Sequence, residues 1–137
     1  MKIGLLTYYW DNNVGQYWQA LATLRALRAQ FPSARVELVH LRHWGKLNDR
    51  WLARKDFKQP SALLKSWRYH RSYRVGRKQN FEYSPIECVT NSYEEAENFV
   101  RLQGYDLVVV GADVVLKPLP ETKVKGAVPI YWLPDSL

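Results

Sequence analysis

The sequence predicts an α/β fold with an open, mostly parallel sheet and flanking helices. Three observations carry that expectation: an apolar run at residues 2–9, a second at 105–111, and helical periodicity between them. Strands covered on both faces read as unbroken apolar runs, whereas strands open on one face alternate apolar and polar residues.

Residues 2–9 form the first of these strands. Trp10, Asp11, Asn12, Asn13, Val14 and Gly15 follow as a polar loop of turn formers. From about residue 15 to 31 the period changes, and Trp18, Leu21, Ala22, Leu24, Leu27 and Phe31 recur at helical spacing. Pro32 and Ser33 end that helix. Residues 35–43 alternate, with Val36, Leu38, Val39 and Leu41 as the apolar members, and read as a second strand. Strand, loop, helix and strand make a βαβ unit with an expected right-handed crossover, a Rossmann-like opening.

Residues 44–80 read as a basic helical insertion. Within it, residues 61–78 are expected to be helical, capped by Ser61, with Leu63, Leu64, Trp67 and Tyr73 apolar. Ser92, Tyr93, Glu94 and Glu95 form a capping box with the acids at the positive end of the helix dipole. That helix turns Ala96, Phe99, Val100 and Leu102 inward and ends at Gly104. Residues 105–111 are apolar throughout, as a central parallel strand must be. On this reading residues 1–116 are one domain, and the Pro- and Lys-rich segment 117–137 begins a truncated remainder.

The 137 residues fit one domain, and 47% hydrophobic residues exclude a wholly disordered chain. No stretch approaches the roughly eighteen apolar residues of a membrane span. The opening residues also lack the pattern of a secretory signal. A single cysteine, Cys88, excludes an internal disulfide and fits a reducing compartment. A cytoplasmic location is expected. The net charge of +7 is local: 13 of the 20 basic residues lie between positions 35 and 78, opposed there by Glu37, Asp49 and Asp56. That asymmetry points to an anionic partner, and an acidic membrane surface at the inner face, a phosphorylated small molecule and nucleic acid all satisfy it.

Ligands of open parallel sheets bind beyond the carboxyl ends of the strands. Two loops occupy that edge. One runs from Asp11 through Asn13 and Gly15 to Gln16 and opens the helix bearing Gln19; the other is Gly111, Ala112 and Asp113. The first offers carboxamides and helix-terminal amides to an anion or a sugar hydroxyl, and equally reads as a βα turn with Asn caps. Asp113 and Asp11 can orient or deprotonate a hydroxyl, or simply cap a turn. Five basic residues at a constant spacing of three, Lys65, Arg68, Arg71, Arg74 and Arg77, drift around the helix. They make either a solvated surface or an anion-collecting arm, with Arg68, Arg71 and Arg74 its core. His40 and His43 align poorly for zinc, so no metal is expected. Cys88 reads as a buried structural thiol. Trp10, Trp18 and Trp132 read as core residues or sugar platforms. No RNA-binding signature organises the aromatics, so nucleic acid is not an expected partner.

At these loops the sequence resembles the polysaccharide pyruvyl transferase family. Asn13, Val14, Gly15, Gln16, Tyr17, Trp18, Gln19, Ala20, Leu21, Ala22, Thr23 and Leu24 follow its Asn-(aromatic)-Gly opening and Leu-Gln-Ala-x-Ala-Leu helix. Phe81, then Tyr105 and Asp106, an apolar strand, and Gly111, Ala112 and Asp113 follow its second motif. The resemblance spans most of the chain. Ala112, Val114, Leu116 and Lys117 stand where that motif has Ser, Gln, Trp and Asn. It implies a GT-B-like pair of Rossmann-like domains and transfer of a pyruvyl group from phosphoenolpyruvate, with no further cofactor, to a sugar or lipid-linked saccharide. The product would be cell-surface polysaccharide. This chain would be the acceptor-side half, with Asn13, Gly15, Gln16, Gln19 and Asp113 lining the cleft, inactive without a second, donor-binding domain or chain. Two other classes stay open from the residues: a GT-B-type glycosyltransferase half, and a module binding nucleic acid or membrane through its basic arm. A partner-stabilised remnant without activity is a further possibility.

Overall fold

The computed structural model describes residues 1–9, 13–42 and 60–111. In chain order these hold β1 (Lys2–Leu6), α1 (Val14–Gln30), β2 (Arg35–Leu38), β3 (Leu41–Arg42), α2 (Pro60–Asn80), β4 (Cys88–Val89), α3 (Tyr93–Leu102) and β5 (Leu107–Val110). The chain is mixed α/β with small parallel sheets. The larger sheet has the order β2-β1-β5, and the smaller pairs β3 with β4.

β1 is the central strand of its sheet. Its Ile3, Leu5 and Leu6 are fully buried, and the core continues through Val36, Leu38, Ala20, Leu21, Leu24, Ala96 and Val100. Residues 105–111, expected at the centre, instead supply an outer strand of the described sheet, with Leu107 and Val110 exposed. Gly4 is required where it stands, because a Cβ there would meet the Tyr105 ring at 2.9 Å.

The expected single strand over residues 35–43 is two strands. Val39 still donates to the Leu5 carbonyl at 2.9 Å, but the Leu41 amide turns back to the Val39 carbonyl at 2.8 Å. This three-residue turn is centred on His40, and it moves the chain from β1 as neighbour to the segment after α2. That segment runs parallel beside it, through the Leu38–Tyr83 bridge and then the β3–β4 pair.

α1 turns inward most of the face its apolar residues predict, with Leu21 and Leu24 buried and Leu27 and Phe31 packed against the core, but rotated so that Trp18 and Ala22 fall outside it. Gln16, Ala20, Leu21 and Leu24 are buried, whereas Ala22 is exposed and Trp18 is 58% exposed. Burying a Leu side chain contributes roughly 2 kcal/mol, several times the spread of helix propensity per residue, so packing sets the rotation. Trp18 lies off that arc and meets Tyr17 edge-on instead. Ser61 lies within the first turn of α2, not at its cap, and Pro60 stands at the start, where its missing N–H costs nothing. Of the apolar members expected in this helix, Leu64 and Trp67 are exposed, and the Leu63 side chain lies outside the described residues.

α3 starts as its sequence requires, with one change. Ser92 Oγ accepts from the Glu95 amide at 3.4 Å, but Glu95 does not reach the Ser92 amide. Buried Thr90 relays the box, its Oγ accepting from Ser92 N at 2.9 Å and donating to the Glu95 carboxylate. Gly104, at φ 63°, supplies the left-handed residue beyond the helix end. Leu102, expected inward, is exposed.

Candidate functional site

Because β2 and β5 lie on opposite sides of β1, the strand order reverses at β1, the place where open α/β sheets form their clefts. Leu6 and Val110 are register partners, and the Gly111 amide donates to the Leu6 carbonyl at 2.8 Å. The two loops singled out in the sequence therefore start side by side. Gly111 is buried against Thr7, and a Cβ there would collide with the Thr7 side chain. Its role is close backbone approach between the two strands.

Of the residues expected at the site, Asn13 is an N-cap. Its side-chain oxygen accepts from the Gly15 amide at 2.9 Å and its carbonyl from the Tyr17 amide at 3.1 Å. Gly15 is exposed, and its amide, engaged by Asn13, is withdrawn from any anion. Gln19 is half-buried, and its carbonyl accepts from the Thr23 hydroxyl at 2.9 Å. Gln16, in the first turn of α1, is 7% exposed, and its Oε1 has no hydrogen-bond partner among the described residues. An unmet buried acceptor costs about 1–3 kcal/mol, so a donor brought to this oxygen would be stabilising. Asp11, Asp113, Trp10, His43 and Trp132, together with segments 44–59 and 117–137, lie outside the described residues. Arg68, Arg71 and Arg74 are exposed on α2.

A second group at the same edge was not singled out as a site from the sequence. Tyr9, beyond β1, packs with its ring centroid 5.3 Å from Tyr83 and 6.0 Å from His40, and His40 stacks at 4.8 Å on Tyr83. Phe81, Tyr17 and Tyr73 extend these rings to the inner side of α2. His40 Nε2 lies 3.6 Å from Glu87, whose carboxylate also meets the Arg42 guanidinium. Burial and, after it, Arg42 lower the His40 pKa against the opposing pull of Glu87, which keeps the imidazole neutral. Burial, with Tyr83 nearby, raises Tyr9 well above an ordinary phenol, and burial pushes Tyr83 up to about 12. The edge thus carries neutral aromatic faces around the Arg42–Glu87 pair, with Arg77 near the tyrosine rings. The available signal was positional, since residues that follow neighbouring parallel strands share one edge, which brings Tyr9 beside His40.

Cys88 is half-buried in β4, not fully buried, and burial raises its thiol pKa, with Glu95 adding to it, so it is a poor nucleophile. Among the described residues no group of three or more His, Cys, Asp or Glu could hold a metal ion. Nor is any described helix long and apolar enough to cross a membrane. A pocket of about 290 Å³ between Met1, Gln30, Phe31 and Ala34 lies at the opposite end of the sheet, away from these groups.

The fold and edge define a small α/β chain with ligand-competent groups at the carboxyl ends of its parallel strands. Comparison with protein-family models, curated proteins and solved structures finds no match.

Proposed function

We propose that this chain is the acceptor-side, Rossmann-like half of a GT-B-like enzyme related to the polysaccharide pyruvyl transferases. It would transfer a pyruvyl group from phosphoenolpyruvate to a sugar or lipid-linked saccharide, acting at the cytoplasmic side of the membrane with a second domain or chain. The observation that carries the reading is the buried Gln16 Oε1, unpartnered among the described residues, in the first turn of the helix that follows the strand at which the order reverses. A sugar is dense in hydroxyl donors, so it is the ligand class that meets such an acceptor best. Neutral Tyr and Trp faces near the edge suit the same ligand, because a sugar ring packs its C–H face on an aromatic. The family resemblance of residues 13–24 covers the same turn of α1.

In this scheme Gln16 accepts a hydrogen bond from one acceptor hydroxyl and fixes the sugar. Asp113 or Asp11 takes the proton of the attacking hydroxyl, and the second domain holds phosphoenolpyruvate. Asn13 shapes the turn, and its oxygen is already committed to Gly15. Phosphoenolpyruvate consumption with phosphate release, followed over a panel of sugar acceptors, tests the reading. The 137-residue chain is assayed alone and with a candidate donor-domain chain. Turnover is expected in the combined sample. Turnover by this chain alone would contradict its assignment as a half, and turnover with a nucleotide sugar in place of phosphoenolpyruvate would make it a glycosyltransferase half.

A further inference from the structure

α2 presents two unlike faces. Its inner one is fixed on α1: Asn80 Nδ2 donates to the Tyr17 hydroxyl at 3.0 Å, and the Tyr73 ring lies 5.7 Å from that of Tyr17. Gly76 lets this contact close, since a Cβ there would stand 2.9 Å from the same hydroxyl. The opposite side is thereby held away from the core. On it Leu64, Trp67 and Val75 are 52%, 45% and 44% exposed. Positions 64, 67, 71, 75 and 78 follow one helical stripe, so Arg71 and Lys78 fall among these apolar side chains and Arg68 and Arg74 flank them. The Arg71 guanidinium lies over the Trp67 ring, 5.3 Å from its centroid. Pro60–Asn80 contains six Lys and Arg residues and no acid.

We propose that this outer face of α2 docks on an acidic lipid membrane. Charge complementarity selects an anionic surface, and the side chains between the charges select lipid. Leu64 and Val75 gain nothing from a phosphate backbone, whereas at a bilayer they enter the acyl boundary. Trp67 suits the headgroup level, and Arg68, Arg71 and Arg74 extend their stems along apolar surface with their charges at the phosphates. The helix lies in the interface and does not span it. This inference rests on α2 alone and does not depend on the chemistry proposed for the sheet edge.

Co-sedimentation of the full chain with vesicles tests it, using phosphatidylcholine alone and phosphatidylcholine mixed with phosphatidylglycerol, at low and high salt. The expected result is binding to the mixed vesicles only, weakening as salt rises. Joint replacement Arg68→Glu, Arg71→Glu and Arg74→Glu is expected to reduce binding at least about a hundredfold, at roughly fivefold per cation neutralised. Joint replacement Leu64→Ser, Trp67→Ser and Val75→Ser, all at exposed positions, is expected to reduce it about tenfold or more with the charge unchanged. Equal binding to neutral vesicles, or no binding to either, would overturn the proposal without recourse to any variant. An unchanged affinity in the apolar triple would overturn it too. So would tighter binding to a single-stranded oligonucleotide than to the mixed vesicles, which would identify a nucleic-acid surface.

Discussion

The two ends of the sheet differ in the charges that surround their buried polar groups. At the amino end, Glu37 on β2 is 1% exposed and surrounded by partners. Lys2 Nζ lies 3.3 Å from its Oε1, the Tyr105 hydroxyl donates to the same oxygen at 3.0 Å, and Arg35 Nε faces Oε2 at 3.0 Å, an ion pair without hydrogen-bond alignment. Lys2 in turn covers the Tyr105 ring, and its amide donates to Asp106 at 2.6 Å. At the carboxyl end, Gln16 Oε1 has no partner among the described residues, and burial lowers the His40 pKa. The first arrangement compensates its buried charge with two cations and holds β1, β2 and the approach to β5 together. The second has no charge facing its carboxamide oxygen among the described residues, and on the proposed function that is the oxygen a ligand would meet.

If the amino end is structural, breaking it should be the most damaging change. Glu37→Ala strands Lys2, Arg35 and Tyr105 at once, and a loss of about 3 kcal/mol is expected in urea unfolding. Lys2 and Arg35 retain water around their charges, which keeps the loss near the lower end of the range for buried pairs. A change under about 0.5 kcal/mol, typical of a surface site, would show that this cluster does not organise the sheet.

The dependence of stability on pH separates the two ends further. Tyr105 at the amino end, raised by burial and then by Glu37, and Tyr9 and Tyr83 at the carboxyl end all hold their protons above the ordinary phenol value of 10.0. Once pH exceeds that value the unfolded chain ionises and the folded one does not, so stability is present below it and is lost as pH rises. His40 acts with the opposite sign, and at the carboxyl end alone. Its pKa is lowered in the fold, so its penalty is absent above 6.5 and grows as pH falls below that value. The urea midpoint of His40→Gln should therefore be flatter than that of the parent just below 6.5 and should match it on the alkaline limb. Parallel acid limbs for the two proteins would remove His40 from the account.

The sequence disclosed these elements unevenly, for identifiable reasons. Ser92 with Glu95 and the glycine at 104 are local signals, and α3 lies where they place it. An apolar run shows that a strand is covered on both faces, but not which strands flank it, so the runs of β1 and β5 look alike although only β1 lies between two strands of the described sheet. In α1 the bulkiest apolar residue, Trp18, attracts the inward assignment. Burial is decided jointly by Ala20, Leu21 and Leu24, and that arc carries polar Gln16 in with it. The turn at His40 interrupts an alternating run with no Gly or Pro to announce it. The same turn puts His40 beside Tyr9 and Tyr83, so this part of the edge was illegible for the reason that the strand break was.

The most direct test of the carboxyl end as the ligand end is Gln16→Met, measured for both stability and turnover. Methionine keeps the length of the side chain and removes the unmet acceptor. Unfolding should therefore show a gain of about 1 kcal/mol. If the proposed function holds, turnover of phosphoenolpyruvate with a sugar acceptor, in the presence of the proposed donor domain, should fall roughly tenfold, mainly through a higher KM for the acceptor, as expected for loss of one hydrogen bond. A less stable variant would mean that the carboxamide already has a partner within the protein. A more stable variant with unchanged turnover would mean that the oxygen is idle, and the acceptor would then have to be sought away from this turn of α1.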